Sequence, residues 1–204
     1  MSDVNPTRSA VVEMKDERRA MHDGYVFLDE KCLLLAGEIL AELARHAGLR
    51  REFFARHDAA LDALRAAVQR HGLQGLQVYP PSDTAPIAID RRTRSLMGVR
   101  LQSVTLAGAA LPAPPAVDRS PEGEACRRAF AAAMAAAAPL AASSGNLERL
   151  SHEYRRSVRR ARALQDVMLP ELDRSVADIE SRLEELEQED AVWMRSAAGA
   201  KEPA

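Results

Sequence analysis

A run of large apolar side chains between Leu147 and Trp193 constrains this chain more than any other feature. Leu147, Leu150, Tyr154, Ala161, Leu164, Met168, Leu172, Val176, Ile179, Leu183, Leu186 and Trp193 recur mainly at three- and four-residue steps. Arg, Glu, Asp, Ser and Gln fill most of the positions between them. On a helix this spacing makes a narrow apolar seam, and a narrow seam is buried only against a second helix. The chain must therefore supply or find a long helical partner.

Composition agrees with a helical rather than a sheet solution. Hydrophobic residues make up 47% of the 204 residues but aromatics only 4%, so the apolar content is mostly Ala and Leu. Strands lean on β-branched and aromatic side chains, whereas Ala and Leu favour helix. The second helix is found at the other end of the chain. Thr7 is placed as an N-cap, and apolar positions follow at Met14, Met21, Tyr25, Leu28, Cys32, Leu35, Ile39 and Leu43. Between Met21 and Ile39 the steps are 4, 3, 4, 3 and 4, which is heptad spacing. With no Pro after Pro6 until Pro80, the helix is expected over residues 7–71, behind a tail of residues 1–6. At 1.5 Å per residue it would be a rod of roughly 100 Å.

The texture changes over residues 72–116, where Gly72, Gly75, Pro80, Pro81, Pro86, Gly98 and later prolines break any long helix. Short runs at Leu76–Tyr79, Ile87–Ile89 and Gly98–Leu106 are expected to form strands or a hairpin in a small knob. Helix resumes at Ser120-Pro121-Glu122-Gly123-Glu124, an N-cap followed by Pro and early acids. The C-terminal helix is expected over 117–195, with a break near 139–146 at Pro139 and Ser143-Ser144-Gly145-Asn146, and a flexible tail at 196–204. From Leu164 through Met168, Leu172 and Val176 to Ile179 the steps lengthen to 4, 4, 4 and 3. That average exceeds the 3.6 residues of a straight helical turn, so the seam should straighten or turn locally right-handed there. Pro170 lies inside the shift and should bend the helix.

The expected fold is thus mainly α, a long antiparallel two-helix coiled coil with a small central knob containing short strands or a hairpin. Its seam is assigned to Leu28, Leu35, Ile39, Leu164, Met168, Leu172, Ile179, Leu183 and Leu186. If opposed residues sum to about 203, within about two turns of a 3.6-residue helix, Lys15, Arg18 and Arg19 face Glu184, Glu185, Glu187, Glu189 and Asp190. Glu38 and Glu42 then fall near Arg155, Arg156, Arg159, Arg160 and Arg162. Such exposed pairs select register more than they stabilise.

The residues give little support to catalysis or cofactor binding. Cys32 and Cys126 are isolated, and Cys32 reads as a small buried hydrophobe on the helical stripe. The five histidines show no metal-ligand spacing, and there is no phosphate-binding glycine loop, nucleophile elbow or H-E-x-x-H. No catalytic, cofactor-binding or metal residue is assigned, and no cofactor is expected. The arginine run 155–162 lacks interleaved aromatics and the net charge is -2, so no nucleic acid is expected as partner. The Ala-rich run 129–142 is too short and too weakly apolar to span a bilayer. With a polar start that lacks a signal-peptide core, the chain is expected to be cytoplasmic, with no direct membrane insertion.

Three stretches carry a resemblance to a known family. The first is Pro6-Thr7-Arg8 with Arg18-Arg19 and the Gly24, Leu28, Lys31 spacing. The second is Arg91-Arg92-Thr93-Arg94-Ser95-Leu96-Met97-Gly98-Val99. The third runs from Arg159-Arg160 and Ala163-Leu164 through Leu169-Pro170-Glu171-Leu172, Ile179-Glu180, Leu183-Glu184-Glu185 and Glu187 to Glu189-Asp190. In that order they resemble the D subunit, the central rotor stalk of V-type and A-type ATPases and ATP synthases. The chain departs from the family at Asp29-Glu30-Lys31-Cys32, where a Lys-Asp-Lys-Arg run is common, and in its less basic tail after Asp190.

The resemblance implies a non-catalytic shaft coupling ATP synthesis or hydrolysis to proton or sodium transport by a membrane ring. It implies the A and B subunits of a catalytic hexamer as partners, with the F subunit along the rod and a socket protein above the ring. The protein would be peripheral to the membrane as part of that complex. Partner-contact candidates are Arg94, Met97, Gly98 and Val99 in the middle segment, Arg159 and Arg160, and Trp193. A competing reading is a coiled-coil adaptor or export-apparatus chaperone bound to a hexameric ATPase. The gamma stalk of F-type enzymes, a third, carries more intervening α/β structure than this short middle allows.

Overall fold

The computed structural model describes residues 7–77, 79–80, 87–107, 116–117 and 119–199, with side chains as far as 196. The tail expected at 1–6 and the end of that at 196–204 lie outside the described residues, as do several of the turn prolines. The fold is mainly α. Helix α1 spans Arg8–Gln77, strand β1 Ala88–Leu96, strand β2 Val99–Ala107 and helix α2 Pro121–Ala163; a π-helical turn at Leu164–Met168 then leads into helix α3, Leu169–Gly199. The chain divides into two compact units, one of residues 1–33 with 155–204 and one of residues 34–154.

Both long helices begin where their capping residues place them. The Thr7 hydroxyl accepts the Ala10 amide at 3.2 Å, and the Ser120 hydroxyl accepts the Gly123 amide at 3.0 Å, each satisfying a donor that the first turn leaves free. Pro121 follows as the first helical residue of α2, where its missing N–H costs nothing. Helix α1 continues past the expected stop at His71, after one non-helical residue: Gly72 has φ 69° and ψ 167°, a conformation open essentially to Gly alone. The strand expected at Leu76–Tyr79 is therefore not formed, because Leu76 and Gln77 belong to the helix and Tyr79 to a bend.

In the unit of residues 34–154, β1 and β2 form an antiparallel hairpin with Leu96 paired to Val99 and Ala88 to Ala107. Met97 (φ 48°) and Gly98 (φ 85°) make the two-residue turn, the positive-φ pair that matches the twist of the flanking strands. Leu35 of α1, Val99 and Leu101 of β2, and Leu150 of α2 form the buried cluster, with Ile39, Leu96 and Tyr154 packed against it. Met97 occupies a left-handed conformation that Asn tolerates better than most side chains. Met97→Asn should therefore raise the urea midpoint of the chain, by on the order of 0.5–1 kcal/mol in stability; an unchanged or lower midpoint would contradict this account of the turn.

Helix α2 runs unbroken through Pro139 and Ser143–Asn146, so the break expected near 139–146 is absent. Two of the residues that suggested a break have tertiary partners: Asn146, and Ser144, whose hydroxyl lies 3.2 Å from His46 Nε2. Ser143 and Asn146 are buried, Asn146 bonds to β2, and the Ser144 hydroxyl donates back to the Leu140 carbonyl at 3.0 Å. Alanine is buried on both helices of this unit, at Ala60 and Ala67 of α1 and at Ala133 and Ala136 of α2. Small side chains at these positions let helices approach closely, so the Ala-rich run is a packed contact rather than a solvated helix.

The irregularity expected between Leu164 and Ile179 takes a definite form. Leu164–Met168 is a π-helical turn in which the Leu169 N–H donates to the Leu164 carbonyl, five residues back. Pro170 lies just beyond it. In an α-helix its ring would press on the carbonyl four residues earlier, and a widened turn ahead of the ring relieves that clash.

Candidate functional site

In the unit of residues 1–33 with 155–204, α1 and α3 run antiparallel and are tied by ion pairs. Arg8 meets Glu187 at 2.6 Å, Lys15 meets Glu180 at 2.5 Å, and Arg18 meets Asp173. The hydrogen bonds and charges of Glu187 and Asp173 raise the pKa of Arg8 and Arg18 respectively. This register differs from the expected one, which set Arg195 opposite Arg8 and Glu185 opposite Arg18. Both helices carry so many charges that opposite signs meet over a range of offsets, and the apolar packing decides among them. Gly24 lies against the Leu164 side chain, which ties the π turn to α1.

The seam assignments fall unevenly. Leu35 and Ile179 are buried, together with Val176, and Leu28, Ile39, Leu164, Leu172 and Leu183 are half-buried. Met168 is 38% exposed and Leu186 45% exposed, so neither position is covered as expected. Met168 closes the π turn, where the extra residue rotates it off the stripe. Along α2, Leu150 and Ala161 of the apolar run are buried and Tyr154 is half-buried, while Leu147 is half-buried too. Ser143, Asn146 and Ser157, which that run does not include, are buried with them at three- and four-residue steps, legible in the sequence only if Ser and Asn are allowed at core positions.

Glu38 and Glu42, expected near the arginine run, take their partners within the unit of residues 34–154. Glu38 pairs with Arg94 of β1. Glu42, only 1% exposed, is held by Arg45 at 2.9 Å and by the Asn146 amide at 3.3 Å. A carboxylate this buried persists as an ion only with such partners. Asn146 is the junction of the unit: its Oδ1 accepts the Gln102 amide and its Nδ2 donates to the Gln102 carbonyl, both at 2.8 Å. Arg149 donates to the Arg100 carbonyl at 2.9 Å and to Asn146 Oδ1 at 2.7 Å. The hairpin is thereby fixed to α2 through main-chain groups, and the Met97-Gly98 turn is carried on a rigid support.

The remaining contact candidates lie in two exposed features. Arg155, Arg156, Arg159, Arg160 and Arg162 project on the face of the helix opposite buried Ser157 and Ala161, and none of the five has an ion-pair partner among the described residues. Toward the end of α3, Val192, Trp193 and Met194 are all exposed, Trp193 by 71%. Consecutive large apolar residues on a helix end are a common form of protein contact. Cys32 and Cys126 are free and half-buried; burial raises both thiol pKa values, making them poor thiolates. Cys32 is less enclosed than its place on the stripe suggested. Among the described residues no cluster of His, Cys, Asp and Glu could hold a metal ion, and no helix is long and apolar enough to cross a membrane.

Residues 10–198 match the family profile described as the D subunit of ATP synthase. The chain is similar to the A-type ATP synthase D subunit of Methanopyrus kandleri, with 27% identity over 96% of this chain and 85% of the relative. It is similar to the V-type ATP synthase D subunits of Thermotoga neapolitana, 23% identical over 92% of this chain and 93% of the relative, and of Deinococcus radiodurans, 25% identical over 91% and 84%. A profile match from near the first helical residue to the last turn of α3 leaves no segment of the helical framework outside the likeness. The chain belongs to the ATP synthase D-subunit family.

Proposed function

We propose that the protein is the non-catalytic central rotor shaft of a V-type or A-type rotary ATPase. It would couple ATP synthesis or hydrolysis in a hexamer of A and B subunits to proton or sodium transport by a membrane ring. What carries this reading is the family match over residues 10–198. Long helices paired antiparallel and tied by cross-helix ion pairs suit a mechanical role. In this reading Trp193 and its neighbours enter the hexamer, the F subunit lies along the helices, and the socket protein holds the opposite end against the ring. The protein would stand at the cytoplasmic face, peripheral to the membrane.

The shaft would act by presenting unlike faces to three equivalent catalytic interfaces. A ligand or partner shifts an equilibrium only through different contacts with its states. The unpaired arginine face, the exposed Val192–Met194 end and the hairpin supply such unlike contacts. Arg94, Met97, Gly98 and Val99 are proposed as partner contacts on the hairpin, and Arg159 and Arg160 on the arginine face.

Co-expression with A and B subunits tests the reading. Co-purification with the hexamer, and loss of ATP-driven ion transport when the chain is omitted, are the expected results. A chain that binds no A/B complex sinks the proposal; binding without any effect on transport would favour an adaptor role. Replacing Arg159 and Arg160 together with Ala should weaken assembly about tenfold, since desolvated charge pairs govern dissociation, while leaving the helical circular dichroism unchanged. Helix loss without an assembly defect would show that these arginines serve the fold.

A further inference from the structure

The two edges of the β1–β2 hairpin are treated differently by the rest of the protein. Leu96 and Val99 flank a two-residue turn and exchange both main-chain hydrogen bonds. From there the pairs alternate, so the main-chain groups of Ile89, Arg91, Thr93 and Ser95 point away from β2. By the same alternation those of Arg100 and Gln102 point away from β1, and that is where Asn146 and Arg149 engage them. Helix α2 thus closes the β2 edge with an amide that reproduces a strand's paired bonds. No hydrogen bond from a described residue reaches the outward groups of β1, and eight of its nine residues are exposed.

An open strand edge is a template for another strand, and its charge decides which one. Residues 90–95 read Asp-Arg-Arg-Thr-Arg-Ser. Arg94 is taken by Glu38 on the helix-facing side, and Arg92 lies 3.6 Å from Asp90. Arg91 has no ion-pair partner among the described residues and stands on the solvent face. A second copy of β1 laid along this edge would set arginine against arginine, which is destabilising directly across a sheet. The same charges would complement an acidic strand.

We propose that the free edge of β1 is a strand-addition site for an extended acidic segment of another protein chain, which pairs with the outward main-chain groups of Arg91, Thr93 and Ser95. Main-chain bonds would supply the affinity and the arginines the choice of partner. The inference rests on the hairpin's bonding pattern and not on the shaft reading, so either can fail alone.

The test uses the full-length chain and a peptide of about eight residues alternating Glu with Val or Thr, lengths and patterns typical of a strand. Residue-resolved amide exchange is expected to slow by about tenfold at Arg91, Thr93 and Ser95 when this peptide is in excess. Arg94 and Leu101, already paired within the hairpin, should be unaffected, and a peptide with Lys for Glu should protect nothing. Thr93→Pro removes one outward donor without touching the ladder, and should weaken glutamate-peptide binding about tenfold. Arg91→Glu, which keeps the backbone intact, should lose the glutamate peptide and gain the lysine one, and so decides the matter should proline loosen the hairpin. Unchanged exchange at Arg91, Thr93 and Ser95 with the glutamate peptide, equal protection by the lysine peptide, or undiminished binding by Arg91→Glu would each overturn the proposal.

Discussion

Leu35→Ala is expected to destabilise the protein by about 3 kcal/mol, read as a fall in the urea midpoint with an unchanged slope. Leu35 is fully buried among Val99, Leu101 and Leu150, and this cluster is the only one among the described residues that gathers large side chains from α1, α2 and β2. Elsewhere the unit of residues 34–154 buries alanine, serine, Asn146 and the tethered Glu42, side chains too small or too firmly held to move into a vacated space. The cavity would therefore persist, and persistence is what carries the cost of a large-to-small change from the transfer value toward the upper part of the observed range. Leu35→Met, which conserves volume, should cost less than about 1.5 kcal/mol. Amide exchange adds a spatial readout: the Val99 and Leu101 amides should lose protection in the alanine variant. A loss below about 1 kcal/mol would mean that the site collapses freely and that the cluster does not hold the hairpin.

Much of the helical framework was legible because it rests on local rules. Thr7 and Ser120 cap the helices they precede in sequence, and the heptad steps from Met21 to Ile39 place Leu35 in the core and Leu28 half in it. The irregular steps after Leu164, with Pro170 among them, point to a departure from a regular seam, but not to the π turn that Leu164–Met168 forms. What stayed hidden depends on tertiary contacts. Strand β1 begins within the expected run Ile87–Ile89 but extends to Leu96, through Asp90 to Ser95, which has no apolar alternation; its pairing with β2 and the Met97-Gly98 turn make that part a strand. The polar members of the seam along α2 were hidden for a related reason. Ser143, Asn146 and Ser157 hold core positions with polar side chains that a search for apolar periodicity discards.

The candidate contacts divide in the same way. The arginines of 155–162 are expected from sequence to face Glu38 and Glu42, and Trp193 to end the apolar run; in the structure all of them are exposed, and none of the arginines has an ion-pair partner among the described residues. Arg94, a contact candidate only through the family resemblance, has its guanidinium spent on Glu38. A side chain already paired inside its own unit is a weaker candidate for an intermolecular contact than an unpaired neighbour. By that criterion Arg91, which offers both an unpaired charge and outward main-chain groups, displaces Arg94 as the residue of β1 best placed to meet a partner.

The support behind the hairpin gives the second large expectation, at Asn146. Asn146→Leu keeps a side chain branched at Cγ and a residue that suits a helix, but removes both bonds to Gln102, the bond to Glu42 and the acceptor for Arg149. The half-buried Gln102 amide and carbonyl and one side of the buried Glu42 carboxylate would then lack these partners, at about 1–3 kcal/mol for each group that cannot relax to water. The expected total is a loss of about 2–4 kcal/mol after partial relaxation of Arg45 and Arg149 toward the freed groups. The double change Asn146→Leu with Glu42→Gln tests the coupling. Removing the buried charge should recover part of the loss, so the two substitutions together should cost less than the sum of each alone. Strict additivity would mean that Glu42 is satisfied by Arg45 and water without Asn146. A full-sized loss with the hairpin amides still protected would show that Asn146 stabilises the helices alone, and the hairpin would then owe its position to Leu35, Leu101 and Leu150.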